Sequence, residues 1–208
     1  MSRRRRLLGG GLGVTEGLQA WYDASDASTI TSSGSPLQVS QWNDKSGNGY
    51  HVTQGTGTNQ PITGETTTNG RNVLDFVNDY FNIPSGLYSL AAGGNTVFIV
   101  SQKTAEDGGF DVLYNMRTGT TNKNFMIYSA TAGAIDWRSN NAGSGTASNT
   151  GNTNTDFQVL RGRRSGVTQA VAVNGGTETT DSNGSDVTGI DSAFIGTLTG
   201  SANFFYNV

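Results

Sequence analysis

Apolar residues in this chain come in short runs, often at every second position, and each run is fenced by glycine, asparagine, serine or threonine. Alternation of this kind puts successive side chains on opposite faces of a strand, so a chain built from it folds as half-buried strands joined by turns. The 30 glycines and a charged fraction of only 14% strengthen that reading. Glycine costs a helix backbone entropy, while Ser, Thr and Asn compete for its backbone hydrogen bonds. Long helices are therefore disfavoured.

Eleven or so short strands are expected on this basis. They are Leu18–Asp23, Val73–Val77, Tyr80–Ile83, Thr96–Gln102, Phe110–Met116, Phe125–Ser129, Ala134–Arg138, Phe157–Arg163, Thr168–Asn174, Phe194–Gly196 and Asn203–Val208. Thr96–Gln102 is nearly continuous in apolar residues, which predicts a central strand covered on both faces. Asn174-Gly175-Gly176 reads as a tight turn, since Asn and Gly tolerate positive φ. Asn140–Thr155 holds no apolar anchor and reads as an exposed loop. The resulting fold class is all-β: a two-sheet antiparallel jelly-roll sandwich with an extended basic N-terminal arm.

At 208 residues the economical division is an arm over 1–16 and one domain over 17–208. A chain of this size buries enough surface to fold without disulfides or structural metals. The absence of cysteine removes thiolate-metal, redox and Cys-nucleophile chemistry. Net charge is -3, but without Arg3, Arg4, Arg5 and Arg6 nine basic residues face 16 acidic ones, a balance of -7. The body would repel nucleic acid, whereas the arm alone could attract phosphate or an acidic protein surface. Leu7 and Leu8 follow the arginines, but Gly9, Gly10, Gly11 and Gly13 interrupt any leader-like apolar segment. The expected role of Arg3–Leu8 is to anchor the domain in a larger assembly.

Several strings in the chain carry a resemblance. These are LQAWYDASDASTI (Leu18–Ile30), VSQWNDKSGNGYHVTQ (Val39–Gln54) with Gln60-Pro61, NGRNVLDF (Asn69–Phe76) and FQVLRGRRSGVTQAVAVNGG (Phe157–Gly176). In this order they resemble the concanavalin A-like, or laminin G-like, jelly-roll domains of phage and bacterial surface proteins. Members of that family usually continue past the equivalent of Asn203–Val208 with one more apolar strand. Here that strand is expected to be either missing or replaced by a neighbouring subunit over the open edge.

The resemblance also implies calcium at a loop rim in some relatives. Asp23, Asp26, Asp44 and Asn48 are the oxygen-bearing candidates around the Asp44–Gly49 turn, the alternative being that they cap their own backbone. Trp137, with Arg138, Asn140 and Asn141 beside the low-complexity loop, is the candidate glycan contact. The chain is expected not to be an enzyme. Jelly-roll glucanases carry Glu-x-Asp-x-x-Glu, and none of Glu16, Glu65, Glu106 and Glu178 stands in that pattern. Asp75/Asp79 and Asp107/Asp111 would lie roughly 13 Å apart along a strand, against about 5 to 5.5 Å for a retaining glycosidase. His51 stands alone.

Together these features predict a phage virion structural protein: a jelly-roll domain on capsid or tail, held by its arm to other virion proteins or its own copies, and touching host glycans. The alternative is a bacterial secreted carbohydrate-binding or adhesion module. A glycoside-active enzyme comes third.

Overall fold

Two antiparallel layers meet along the apolar halves of their strands in the computed structural model, which describes residues 16–103, 111–128, 133–139, 145–151, 156–184 and 187–197. The first half of the chain supplies β1 (Ile30–Ser33), β2 (Leu37–Trp42), β3 (Val52–Thr53), β4 (Ile62–Thr68), β5 (Arg71–Asp75) and β6 (Phe81–Asn82). A single helical turn, α1 (Ser85–Tyr88), leads into β7 (Gly94–Ser101). Then follow β8 (Asp111–Thr118), β9 (Thr121–Tyr128), β10 (Ile135–Arg138) and β11 (Thr146–Asn149). The last elements are β12 (Gln158–Ser165), β13 (Thr168–Val173), β14 (Thr179–Asp181) and β15 (Ser192–Ile195).

The long sheet runs β11-β10-β9-β8-β15-β6-β3-β2-β4-β5, with β1 also paired to β2; the short sheet runs β14-β13-β12-β7. Non-consecutive neighbours such as β8-β15-β6 and β12-β7 are the long-range returns of a jelly roll. No helix among the described residues is long and apolar enough to cross a membrane.

Strand register explains the core. In the short sheet the cross-strand rows Ile99-Leu160-Val173 and Val97-Gly162-Val171 point inward, flanked by polar rows Ser101-Gln158 and Asn95-Arg164-Gln169. The long sheet answers with Trp137, Ile135, Met126, Met116, Phe81, Val52 and Val39, all buried in one apolar cluster. Trp137 is 0% exposed and stacks on Tyr114, with centroids 6.0 Å apart and planes 6° from parallel. Glycine at 162 makes room for it: a Cβ there would stand 2.0 Å from Trp137 Cε3.

The expected strands from Phe110 to Asn174 all form, shifted by a few residues at their ends. Asn174 and Gly175 have φ of 51° and 72°, as the predicted turn requires. Three readings are corrected. Leu18–Asp23 is not a strand, because the turn at 44–50 takes its backbone groups: Asp44 accepts from Trp21 N, and Asn48 Nδ2 donates to the carbonyls of Leu18 and Gln19. Thr96–Gln102 is not covered on both faces: among the described residues its strand, β7, stands at the end of the short sheet, and on the outer face of that sheet Phe98 and Val100 are 67% and 66% exposed. The low-complexity stretch contains β11, whose Ala147 is buried opposite Trp137. Asn203–Val208 lies outside the described residues.

Asp79 gives this fold a pH signature. It is buried, accepts from Val77 N at 2.7 Å, and is pushed by that burial to a pKa of about 6 against an ordinary 3.8. A folded-state pKa above the unfolded one means that its stabilisation is full below pH 3.8 and is lost as the pH rises through 6. Asp79→Asn keeps an acceptor for Val77 N and removes the ionisation. Relative to wild type it should gain stability between pH 4 and 7, by up to about 3 kcal/mol. Urea unfolding of both proteins at pH 4, 5.5 and 7 checks this, and a difference that does not change with pH contradicts it.

Candidate functional site

Each long-sheet strand turns one set of side chains into the core and the other away from it, and register lines those outward residues up; Thr31, Thr53 and Asn82 meet solvent, whereas Asn115 of β8 and Asp136 of β10 are buried on this side too. Trp42, Val52, Phe81 and Ala193 go into the core or pack against it, which turns Gln41, Thr53, Asn82 and Phe194 outward. Backbone pairing joins them in one row: Thr31–Gln41–Thr53–Asn82–Phe194–Asn115, then through Phe125 of β9 to Arg138 and Thr146. With strands about 4.8 Å apart, the row spans roughly 38 Å of sheet.

Thr31, Thr53 and Asn82 are exposed, Gln41, Phe194 and Arg138 are half-buried, and Asn115 is buried. Near the middle, Phe194 meets Tyr80 edge to face, with centroids 5.8 Å apart. Asn82 Nδ2 donates to Thr53 O at 3.2 Å, Gln41 Nε2 to Asn43 Oδ1 at 2.7 Å, and Asn115 Nδ2 to Asn122 Oδ1 at 2.8 Å. Arg138 is held by Asp136, which accepts its Nε at 3.1 Å and also takes the Ser148 hydroxyl. The face is thus a strip of oriented amides and hydroxyls with an aromatic pair set into it and a fixed guanidinium near one end.

The residues expected to contact glycan divide. Arg138 lies on this face. Trp137 does not: Ile135 and Trp137 share the inward parity of β10, so the indole sits in the core, while Arg138 and the buried Asp136 lie on the other side of the strand. Asn140 and Asn141 lie outside the described residues, as do Arg3, Arg4, Arg5, Arg6, Leu7 and Leu8 of the arm.

Of the calcium candidates, Asp23 and Asp26 converge on an ammonium, while Asp44 and Asn48 are engaged elsewhere. Lys45 Nζ sits 2.9 Å from Asp23 Oδ2 and 2.7 Å from Asp26 Oδ2, and 4.5 Å above the Trp21 ring. Its ammonium takes the place a metal would need. Asp44 is turned to protein donors: Trp21 N and Ser46 N on Oδ1, Ser46 Oγ and Tyr50 N on Oδ2. Burial works to raise its pKa, but those hydrogen bonds together hold it below the ordinary value. Asn48 faces this region with its NH2 group, a donor. Among the described residues no group of three or more His, Cys, Asp or Glu side chains is placed to hold a metal. His51 Nδ1 accepts from Asp44 N at 3.0 Å, a structural use.

A shallow depression of about 250 Å³ lies between Tyr88, Ser89, Val187, Gly189 and Ile190. Its two hydroxyls already donate, to Asp191 O and Ser85 O. It offers less chemistry than the long strip.

No protein-family model and no curated protein matches the chain. Among solved structures it is similar to domains LG4-5 of the mouse laminin alpha1 chain, with 14% identity over 55% of this chain and 33% of that one and a TM-score of 0.42. It is also similar to alginate lyase A1-II', a member of polysaccharide lyase family-7, with 13% identity over 74% of this chain and 71% of the lyase and a TM-score of 0.39. A doubly substituted form of that lyase in complex with substrate gives 14% identity, coverages of 74% and 69%, and a TM-score of 0.37. The chain spans a third of the laminin structure's length. These likenesses are distant, and the expected antiparallel two-sheet jelly-roll sandwich is read from the strand pairing itself. They lend no support to the attribution to phage or bacterial surface proteins. The expectation that the chain is not an enzyme is corrected, because a polysaccharide lyase stands among the similar structures and the fold excludes no catalysis.

Proposed function

We propose that this protein is a carbohydrate-recognition module that lays an extended polysaccharide along the outer face of its long sheet. The row from Thr31 to Arg138 carries the reading. Sugars present hydroxyls that both donate and accept, together with apolar C–H faces. Amide and hydroxyl side chains match the first, since they also both donate and accept, and the Tyr80/Phe194 pair matches the second. A strip several nanometres long suits a polymer better than a single sugar, which would call for a closed pocket.

Of the functions expected from the sequence, the adhesion or carbohydrate-binding module is the one this face supports. Virion anchoring draws on Arg3–Leu8, outside the described residues, and no feature of the described fold favours it.

Affinity gel electrophoresis against a panel of neutral and uronic-acid polysaccharides tests the proposal. Wild type should be retarded by at least one of them. Gln41→Ala combined with Asn82→Ala should weaken that retardation about tenfold, equivalent to ~1.4 kcal/mol, with the melting temperature little changed because both sites lie on the outer face. Retardation by none of the panel, or equal retardation of the folded variant, counts against it.

A further inference from the structure

The part of the outer row that meets solvent carries no charge. From β1 to β15 it consists of Thr31, Gln41, Thr53, Asn82 and Phe194, with Tyr80 set against Phe194. Two amides in it are held in one orientation. Gln41 uses an N–H on Asn43 Oδ1 and Asn82 uses one on Thr53 O, while Gln41 Oε1 and Asn82 Oδ1 accept from no described residue. The strip therefore presents amide oxygens, which call for ligand groups that donate.

Charged groups flank the strip without entering it. At the β4–β5 end stand Glu65 and Asp75, close enough for their carboxylates to repel each other. Beyond Phe194 the arginines have acidic company: Arg138 is bound by Asp136, and Arg117, opposite Ser192, lies close enough to Asp191 to attract its carboxylate. Lys123 stands in a bulge of β9, two strands from Phe194. The chain as a whole has a net charge of -3.

We propose that the polysaccharide laid on this strip is a neutral one, an inference that rests on the carbohydrate reading above. The hydroxyls of a neutral sugar donate to the open oxygens of Gln41 and Asn82 and accept the second N–H of each amide. Its C–H face lies on the Tyr80/Phe194 pair. An ionised uronate can only accept. Placed here, it would give up water with no cation among these residues to replace it, and it would set oxygen against oxygen. It would also approach an acidic protein whose field repels it. The groups that suit hydroxyls thus select against polyanions.

Isothermal titration of the full chain with hydroxyethylcellulose, a galactomannan, polygalacturonate and alginate, each at low and high salt of about 50 and 500 mM, tests this. At least one neutral polymer should bind, with affinities within about twofold at the two salt concentrations, because contacts that use no ion pair are not screened. Gln41→Ala combined with Asn82→Ala should weaken that binding about tenfold. Both uronates should bind at least tenfold more weakly than the neutral polymer. Uronate binding as tight as neutral binding, and lost in the double variant, overturns the inference while leaving the strip as the glycan site. A neutral polymer whose affinity falls tenfold at high salt overturns it as well. Where no polymer of either class binds through Gln41 and Asn82, the carbohydrate reading itself fails and this inference falls with it.

Discussion

Trp137→Ala should lower unfolding free energy by about 3 to 5 kcal/mol, the usual range for deleting a fully buried large aromatic. The indole is wholly buried, its stack on Tyr114 is lost with it, and Gly162 beneath it has no side chain to move into the space. A domain's whole stability is roughly 5 to 15 kcal/mol, so the variant should be near its folding limit. In urea the midpoint should fall sharply with the slope unchanged, because the surface exposed on unfolding is nearly the same. Trp137→Phe should keep most of the stability and bind polysaccharide as wild type does. A Trp137→Ala protein with undiminished stability and lost glycan binding would return the residue to the surface role its sequence neighbours suggest.

Asp44→Ala comes next in size. One carboxylate satisfies the backbone amides of Trp21, Ser46 and Tyr50 and the Ser46 hydroxyl, tying the N-terminal segment to the turn at 44–50. Removing it leaves several donors in a poorly solvated place, at roughly 1 to 3 kcal/mol each before relaxation, so a total of about 3 to 4 kcal/mol is expected. Asp44→Asn keeps one acceptor oxygen and turns an NH2 toward the remaining donors, so it should lose about half as much. The pH dependence runs opposite to that of Asp79. Asp44 has a folded-state pKa below 3.8, so its contribution is present above 3.8 and is lost as the pH falls through the lowered value. Thermal melts of Asp44→Ala and wild type should therefore converge in strong acid. A gap that persists there, or no gap at neutral pH, contradicts this role.

How far the sequence reveals this molecule depends on whether a property is local. Thr168–Val173 and Gln158–Ser165 were legible because each carries its own alternation and turn. Ile62–Thr68 was not: ITGETTT has almost no apolar signal, and it is a strand because β2 and β5 pair with it. Phe98 and Val100 misled for the opposite reason, since an apolar run says nothing about whether a second layer covers the strand's outer face. Trp137 was misplaced by proximity to a polar loop, although its parity with Ile135, both apolar and two apart, pointed inward. The outer row was half legible: Gln41, Thr53 and Asn82 each adjoin a core residue. That nine strands bring them into line is a fact of topology, found only in the pairing.

The most direct measurement is a ¹⁵N–¹H correlation map of wild type titrated with an oligosaccharide cut from whichever polysaccharide retards it. The account predicts amide shifts concentrated at Gln41, Thr53, Asn82, Phe194, Asn115 and Arg138, with Val159, Ala170 and Ala172 of the opposite sheet unmoved. Shifts confined to the short sheet's face, or absent at saturating ligand, would contradict it.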